Sequence, residues 1–451
     1  MDGGLSSWGV IGKATTLNAA GILALCIGIL AVLFLPRRRV AVAFVVFACF
    51  TTIGQQLVIA NFSLTIVRML IAATFFRVAL RNETALGNPT LFDKVFVTWA
   101  VLGTLIPLLR LQAIGDLVGR LGFLYDAIGL YFVFRYSIKE PDDLHVVIRA
   151  LAISIAVLTV LMSVEKIAGL NPFSIFGGVP EHTMAREGYL RAQGPFRHPI
   201  LAGTLGSTSI PLFVSIWYGQ RSRDRLFAVL GIVSSLAVVA LTASSSPLIT
   251  SAAALLSVLL WPFRKKARSL WYLFLMGLIA LQAVMKAPVW YLFARASNVL
   301  GGTGWHRAFL IDQAVRYVGE WWFAGTSYTA HWMPYQLALY PNMSDITNQF
   351  VMQAVSGGIV TLCAFVIMIA VAFRTLAGAS RTVTGDSWVA RIIWAMWGSL
   401  LAHVVTFFSL SYFDQINVFW YLLLAGISLV LEKGAFVRPP ASNRSLLVPV
   451  R

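Results

Sequence analysis

Apolar residues run along this chain in stretches long enough to cross a lipid bilayer, separated by short polar segments. A hydrocarbon core of ~30 Å takes about 20 helical residues. Such runs recur at 17–35, 40–60, 62–80, 91–110, 119–137, 143–164, 199–218, 226–243, 246–262, 270–286, 349–373, 392–411 and 415–432. The pattern predicts an all-α polytopic membrane protein of about 12–13 transmembrane helices. Two longer polar stretches, 165–198 and 287–348, interrupt it. In the second, Trp305, Phe309, Val315, Val318 and Trp322 recur at helical spacing, with His306, Gln313, Arg316 and Glu320 between them. That spacing predicts a short amphipathic helix lying at the membrane face, which interfacial tryptophans and solvated charges would account for on their own.

Composition narrows the class. Of 451 residues, 58% are hydrophobic and only 12% charged, too little polar surface to cover a soluble globule of this length. The chain reads as one integral membrane domain, 1–451, without a soluble domain or low-complexity tract. The inverted halves of many secondary transporters are not visible in it. A formal net charge of +17 raises the question of nucleic acid. The basic residues, however, fall in short clusters after alternate spans: Pro36-Arg-Arg-Arg39, Arg77/Arg81, Arg135/Lys139, Arg221/Arg223/Arg225, Arg264-Lys-Lys266/Arg268, Arg374/Arg381 and Lys433/Arg438/Arg444. They follow the positive-inside rule, so the lipid bilayer is the expected partner and no nucleic acid is. The rule puts the N-terminus outside, the C-terminus inside and both long loops on the outer face. The first apolar run has its basic cluster behind it and reads as a retained anchor. Cys26, Cys49 and Cys363 sit in apolar spans without Cys/His spacing, so neither a disulfide nor a thiolate metal site is expected.

Candidate chemistry gathers in the two loops. The segment Tyr189-Leu-Arg-Ala-Gln-Gly-Pro-Phe-Arg-His-Pro-Ile-Leu-Ala-Gly203 places Arg191, Arg197 and His198 at the mouth of an apolar run. Clustered cations there suit an anionic ligand, because an arginine fork binds phosphate through two charge-assisted hydrogen bonds. An Arg at 191, Gly194, then His198-Pro199 and small apolar residues opening a membrane helix resembles the signature of the O-antigen ligase and O-antigen polymerase superfamily. Arg307 followed by Trp321-Trp-Phe-Ala-Gly325 is similar to the order found in that family's second loop. The likeness covers roughly 185–375, with 287–348 as a loop subdomain, and departs from the family at Ser245 and Ile200. The Ser/Pro segment Leu241-Thr-Ala-Ser-Ser-Ser-Pro247, which contains Ser245, reads otherwise as a plain turn.

The resemblance implies a bacterial cytoplasmic-membrane enzyme that takes a glycan from a polyprenyl diphosphate and gives it to a glycan acceptor. A flippase and a chain-length regulator would be its pathway partners. Arg191 and Arg307 are expected to stabilise the departing diphosphate, with Arg197, Arg316 or Arg68 assisting, and no cofactor or metal is expected. Asp142-Asp143 falls on the predicted cytoplasmic side. Before the helix at 349 the ligase branch carries His-x-His-Asn, whereas this chain reads Asp345-Ile-Thr-Asn348. The missing histidines point to a polysaccharide polymerase rather than a core ligase. Asp345 is then the first choice for general base and His198 the second. Each also has a plainer reading, Asp345 as a helix N-cap and His198 as a local hydrogen-bonding group.

Ionisable residues inside spans cost roughly 3 kcal/mol or more and so require an account. Arg68, Asp126 and Arg149 are such groups, and His403 and Asp414 lie near the last outer turn. Arg68 reaches toward an outer-face diphosphate, snorkels, or pairs with Asp126. Two further classes remain open: a transporter or flippase of an anionic lipid-linked substrate, and a scaffold subunit of an envelope assembly.

Overall fold

The structure, a computed structural model, describes residues 15–432 except 60, 84–88, 111–113, 220, 293, 296–303, 335–341, 384 and 386. Gly301-Gly-Thr303 and the basic cluster Lys433/Arg438/Arg444 lie outside the described residues. Every apolar run coincides with a helix: α1 Ala19–Phe34, α2 Arg37–Phe50, α3 Ile66–Leu80, α4 Leu91–Leu108, α5 Ile114–Ser137, α6 Pro141–Ala168, α7 Pro199–Trp217, α8 Asp224–Leu241, α9 Ser245–Leu259 and α10 Ala267–Val284. In the second loop come α11 Gly304–Arg316 and α12 Val318–Trp321, then α13 Gln349–Thr382, α14 Trp388–Phe407 and α15 Ile416–Glu432. Among the described residues, 7 helices are long and apolar enough to cross a membrane, namely α4 to α8, α13 and α14. Shorter apolar helices include α1, α9 and α15. The protein is an all-α polytopic membrane protein.

One boundary differs from the sequence expectation. The runs 40–60 and 62–80 are not two uninterrupted helices, because α2 stops at Phe50 and an antiparallel hairpin follows, β1 Gln56–Ile59 with β2 Phe62–Thr65. Thr51, Thr52 and Gly54 weaken the helix there, and Asn61 turns the chain at φ 66°. Apolarity alone cannot separate a short strand from a helix end.

α7 packs on α8, α9 and α14, while α4 packs on α13 and α5 on α15. The up-and-down order of the spans gathers the described basic clusters at one end. There Arg135 meets Asp93 at 3.1 Å and Glu432 at 2.9 Å, and Arg37 meets Asp143 at 3.4 Å. Arg149 lies at this end too, 3.5 Å from Asp224 and over the ring of Phe227. The opposite end carries both long loops.

Candidate active site

A second hairpin, β3 Met184–Arg186 with β4 Tyr189–Arg191, builds the first half of the site. Glu187 and Gly188 both have positive φ (54° and 81°), as a two-residue type I′ turn requires. The pairs Met184↔Arg191 and Arg186↔Tyr189 put both arginines on one face, since paired residues share a face and alternate ones repeat it. Arg191 is buried, its Nε donating to the Thr242 carbonyl (3.3 Å) and its Nη2 to the Ser244 hydroxyl (2.6 Å). The Ser/Pro segment between α8 and α9 is therefore the seat of this arginine.

The chain from 192 to 198 is held by Glu165 near the end of α6. Its two carboxylate oxygens accept from the backbone N–H groups of Gln193 (3.0 Å) and Gly194 (2.8 Å). The Asn171 side chain donates to the Gly194 carbonyl at 2.9 Å. Gly194 has φ +59°, and a Cβ there would lie 3.1 Å from Leu158 Cδ1, so the residue serves the backbone path.

His198 is the N-cap of α7, with Pro199 in the first turn where a missing N–H costs nothing. Its Nδ1 accepts from the Ile200 N–H at 3.1 Å, so the proton of the neutral ring is on Nε2. Its pKa is lowered to about 3, by burial first and then by Arg191, Arg186 and Arg307 in that order. A neutral imidazole whose lone pair is already engaged is a donor through Nε2–H. The expectation of His198 as second-choice base gives way to that role, and its local capping reading holds.

The second half comes from α11. Arg307 is buried, and its pKa is pushed down to about 10 by burial first and then by Arg186 and Arg191, with Asp345 opposing. Arg191 is likewise lowered to about 10, by burial and Arg186, with Glu187 opposing. Arg186, Arg191, Arg307 and His198 thus share one electrostatic neighbourhood across the two loops. Arg186 is exposed at its rim and was not singled out from the sequence, although the Glu-Gly turn and strand alternation carried the signal.

Asp345 borders the same space. Its carboxyl is accessible to solvent, yet the crowding protein raises its pKa above the ordinary carboxylate value, against the pull of His306 and Arg307. His306 Nε2 lies 3.3 Å from the Asp345 carbonyl oxygen. The N-cap reading of Asp345 is corrected: Asn348 caps α13, its side-chain oxygen accepting from the N–H groups of Phe350 (2.9 Å) and Val351 (3.1 Å).

Backbone contacts fix the segment that follows α11 to the bundle. The amphipathic helix turns Trp305, Val315 and neighbouring Val318 outward and His306, Arg307 and Gln313 inward. Past it, the turn Trp321–Gly325 docks where α13 is broken, at Gly357 (φ −150°) and Gly358 (φ 71°, ψ −170°). Ile359 N–H donates to the Trp322 carbonyl (2.8 Å), Thr326 N–H to that of Val355 (2.8 Å), and Arg110 Nε to that of Ala324 (2.7 Å). These groups are what a helix break leaves unsatisfied.

Three expected helpers lie elsewhere. Arg68 grips Asp126 with Nε and Nη2 at 2.7 and 2.6 Å while its Nη1 donates to the Ser63 carbonyl at 2.6 Å, so the pairing reading holds. Arg197 forms a bidentate pair with Asp414, Nη2 to Oδ1 at 3.0 Å. Arg316 is exposed on α11. His403 is buried with Nδ1 2.6 Å from the Tyr412 hydroxyl.

Compared with known proteins, the chain matches no family model and no curated protein sequence.

Proposed function

We propose that this chain is a membrane glycosyltransferase that moves a glycan from a polyprenyl diphosphate to a sugar hydroxyl, as a polymerase of exopolysaccharide, capsule or O-antigen. The observation that carries this reading is the convergence of Arg186, Arg191, Arg307 and His198 from two loops at one end of a membrane bundle. Burial and neighbouring positive charge lower the pKa of both guanidinium groups to about 10, and an anion bound beside them would offset both effects. On this reading that end is the outer face of a bacterial cytoplasmic membrane, with the N-terminus outside and the C-terminus inside.

In the reaction the acceptor hydroxyl oxygen attacks the anomeric carbon, and the bond from that carbon to the phosphate oxygen breaks. The electron pair leaves with the diphosphate. Arg191 and Arg307 stabilise that charge through their guanidinium groups, and His198 donates through Nε2–H. Asp345, its pKa raised toward the working range, takes the hydroxyl proton. Attack opposite the leaving group inverts the anomeric centre.

The test is chain extension by purified protein given the polyprenyl diphosphate-linked repeat of its own pathway. Arg191→Ala and Arg307→Ala are expected to lose both extension and donor binding. Transfer to a lipid or protein acceptor without extension would move the assignment to a ligase. Net movement of the donor across a vesicle membrane without transfer would make the chain a flippase.

A further inference from the structure

A second polar space opens at the same end of the bundle, between the β1/β2 hairpin, α5 and the start of α15. It is a cavity of ≈ 170 Å³ lined by Arg68, Asp126, Ser63, Asp414, Gln415 and Asn417, where a single water needs only about 15 Å³. Ile66, Leu130 and Val418 supply an apolar wall. The charges cancel, because each acid has its own arginine: Arg68 on Asp126 and Arg197 on Asp414. A neutral space in a membrane protein that is nevertheless rich in hydroxyl, amide and carboxylate groups asks for a ligand that is polar and uncharged.

Gln415 adds a second, independent sign. It is 5% exposed and its Nε2 donates to the carbonyls of Thr51 and Pro195, each at 3.0 Å. Its Oε1 has no hydrogen-bond partner among the described residues. A buried acceptor left unmet costs about 1–3 kcal/mol, a cost that a ligand hydroxyl would remove once the Gln415 side chain shifts to open Oε1 to the cavity. The bond to Pro195 also ties this cavity-lining residue to the segment that carries Arg197 and His198.

We infer that this cavity binds a neutral pyranose ring, the terminal sugar of the acceptor glycan, and presents it to the anion site beyond the 195–198 segment. The Gln415 and Asn417 amides and the Ser63 hydroxyl meet the ring hydroxyls, while Ile66, Leu130 and Val418 cover its apolar face. That the sugar belongs to an acceptor rests on the proposed transferase; that the cavity takes a pyranose does not.

Saturation-transfer NMR on the full chain in nanodiscs, with free glucose, galactose, N-acetylglucosamine and rhamnose as probes, tests the assignment. At least one sugar is expected to receive saturation, with affinity at least tenfold weaker in Gln415→Ala and no signal in Asn417→Trp, which fills the cavity. If Asn417→Trp does not fold, Gln415→Ala decides. No signal from any of the four, or unchanged affinity in Gln415→Ala, overturns the inference. Retention of labelled undecaprenyl diphosphate by wild type and by Arg191→Ala is measured in parallel. Sugar binding without lipid retention would remove the transferase reading and leave the cavity standing. Lipid retention lost in Arg191→Ala, with no sugar bound, would do the reverse.

Discussion

Burial, then Arg186 and, more weakly, Arg191 loosen the hold of Arg307 on its proton, although Arg191 and Arg307 belong to different loops and each is buried. On the proposed function, like charges held together in this way receive the negative diphosphate. Replacing either by alanine should lower turnover about 10²–10³-fold, the usual cost of deleting one fixed donor to a developing charge. Lysine should rescue only part of that, since it keeps the charge and loses the fork. Steady-state rates for Arg191→Lys and Arg307→Lys equal to wild type would reduce both residues to a general positive field.

Asp345 carries the pH prediction. A base works only when deprotonated, and this carboxyl has a raised pKa. The wild-type rate should fall as pH drops through that raised value, and Asp345→Asn should lose about 10²–10⁴-fold and show no such limb. An unchanged pH–rate profile in Asp345→Asn would leave the arginines as the source of catalysis.

His198 makes a stability prediction of definite sign. Its folded pKa of about 3 lies below the ordinary 6.5, so the unfolded chain binds the proton more readily. Stability should be full above 6.5 and decline as pH falls toward about 3. Glutamine keeps an acceptor for the Ile200 N–H without titrating. Thermal unfolding across that window should therefore be less pH-dependent in His198→Gln, and identical slopes would refute the assignment.

Gly358 should tolerate no side chain. A Cβ would stand 2.3 Å from the Phe323 carbonyl oxygen, at a φ of +71°. Gly358→Ala should cost at least about 2 kcal/mol, the left-handed backbone alone accounting for 1–2. Gly378, in the same helix with nothing within 4 Å of its Cβ position, is the control. Gly378→Ala should be neutral or stabilising by up to about 1 kcal/mol.

Both loops lie at one end of the bundle, so single cysteines at Glu181 and Asn342 should react with an impermeant thiol reagent from the same side. Labelling of the two from opposite sides would contradict the arrangement.

The helices were legible because their signal is long and repeated: each apolar run from Leu17 to Glu432 coincides with one, interrupted at the β1/β2 turn and at the Gly357-Gly358 break. Arg191, Arg307 and His198 were legible as polar residues out of place. Their setting was not. Glu165 holds the loop through backbone N–H groups, which any residue sequence supplies, so nothing at 193 or 194 advertises the contact. Arg186 shares a face with Arg191 only once the hairpin register is known. Arg68 carried its pairing with Asp126 as one of three readings, whereas Arg197 looked like the other arginines in one dimension until Asp414, 217 residues away, set it apart. Asp345 and Asn348 sit close enough in sequence that either could have begun α13, and the cap geometry chose Asn348.

The docking of Trp321–Gly325 into the break of α13 uses carbonyls and amide hydrogens, with glycines at the crossing points. The position of this turn is therefore secured by main chain, and the side chains at Trp322 and Phe323, which are exposed, are released from that duty. Those side chains can be exchanged without undoing the docking, so long as the glycines at 325, 357 and 358 are left as they are.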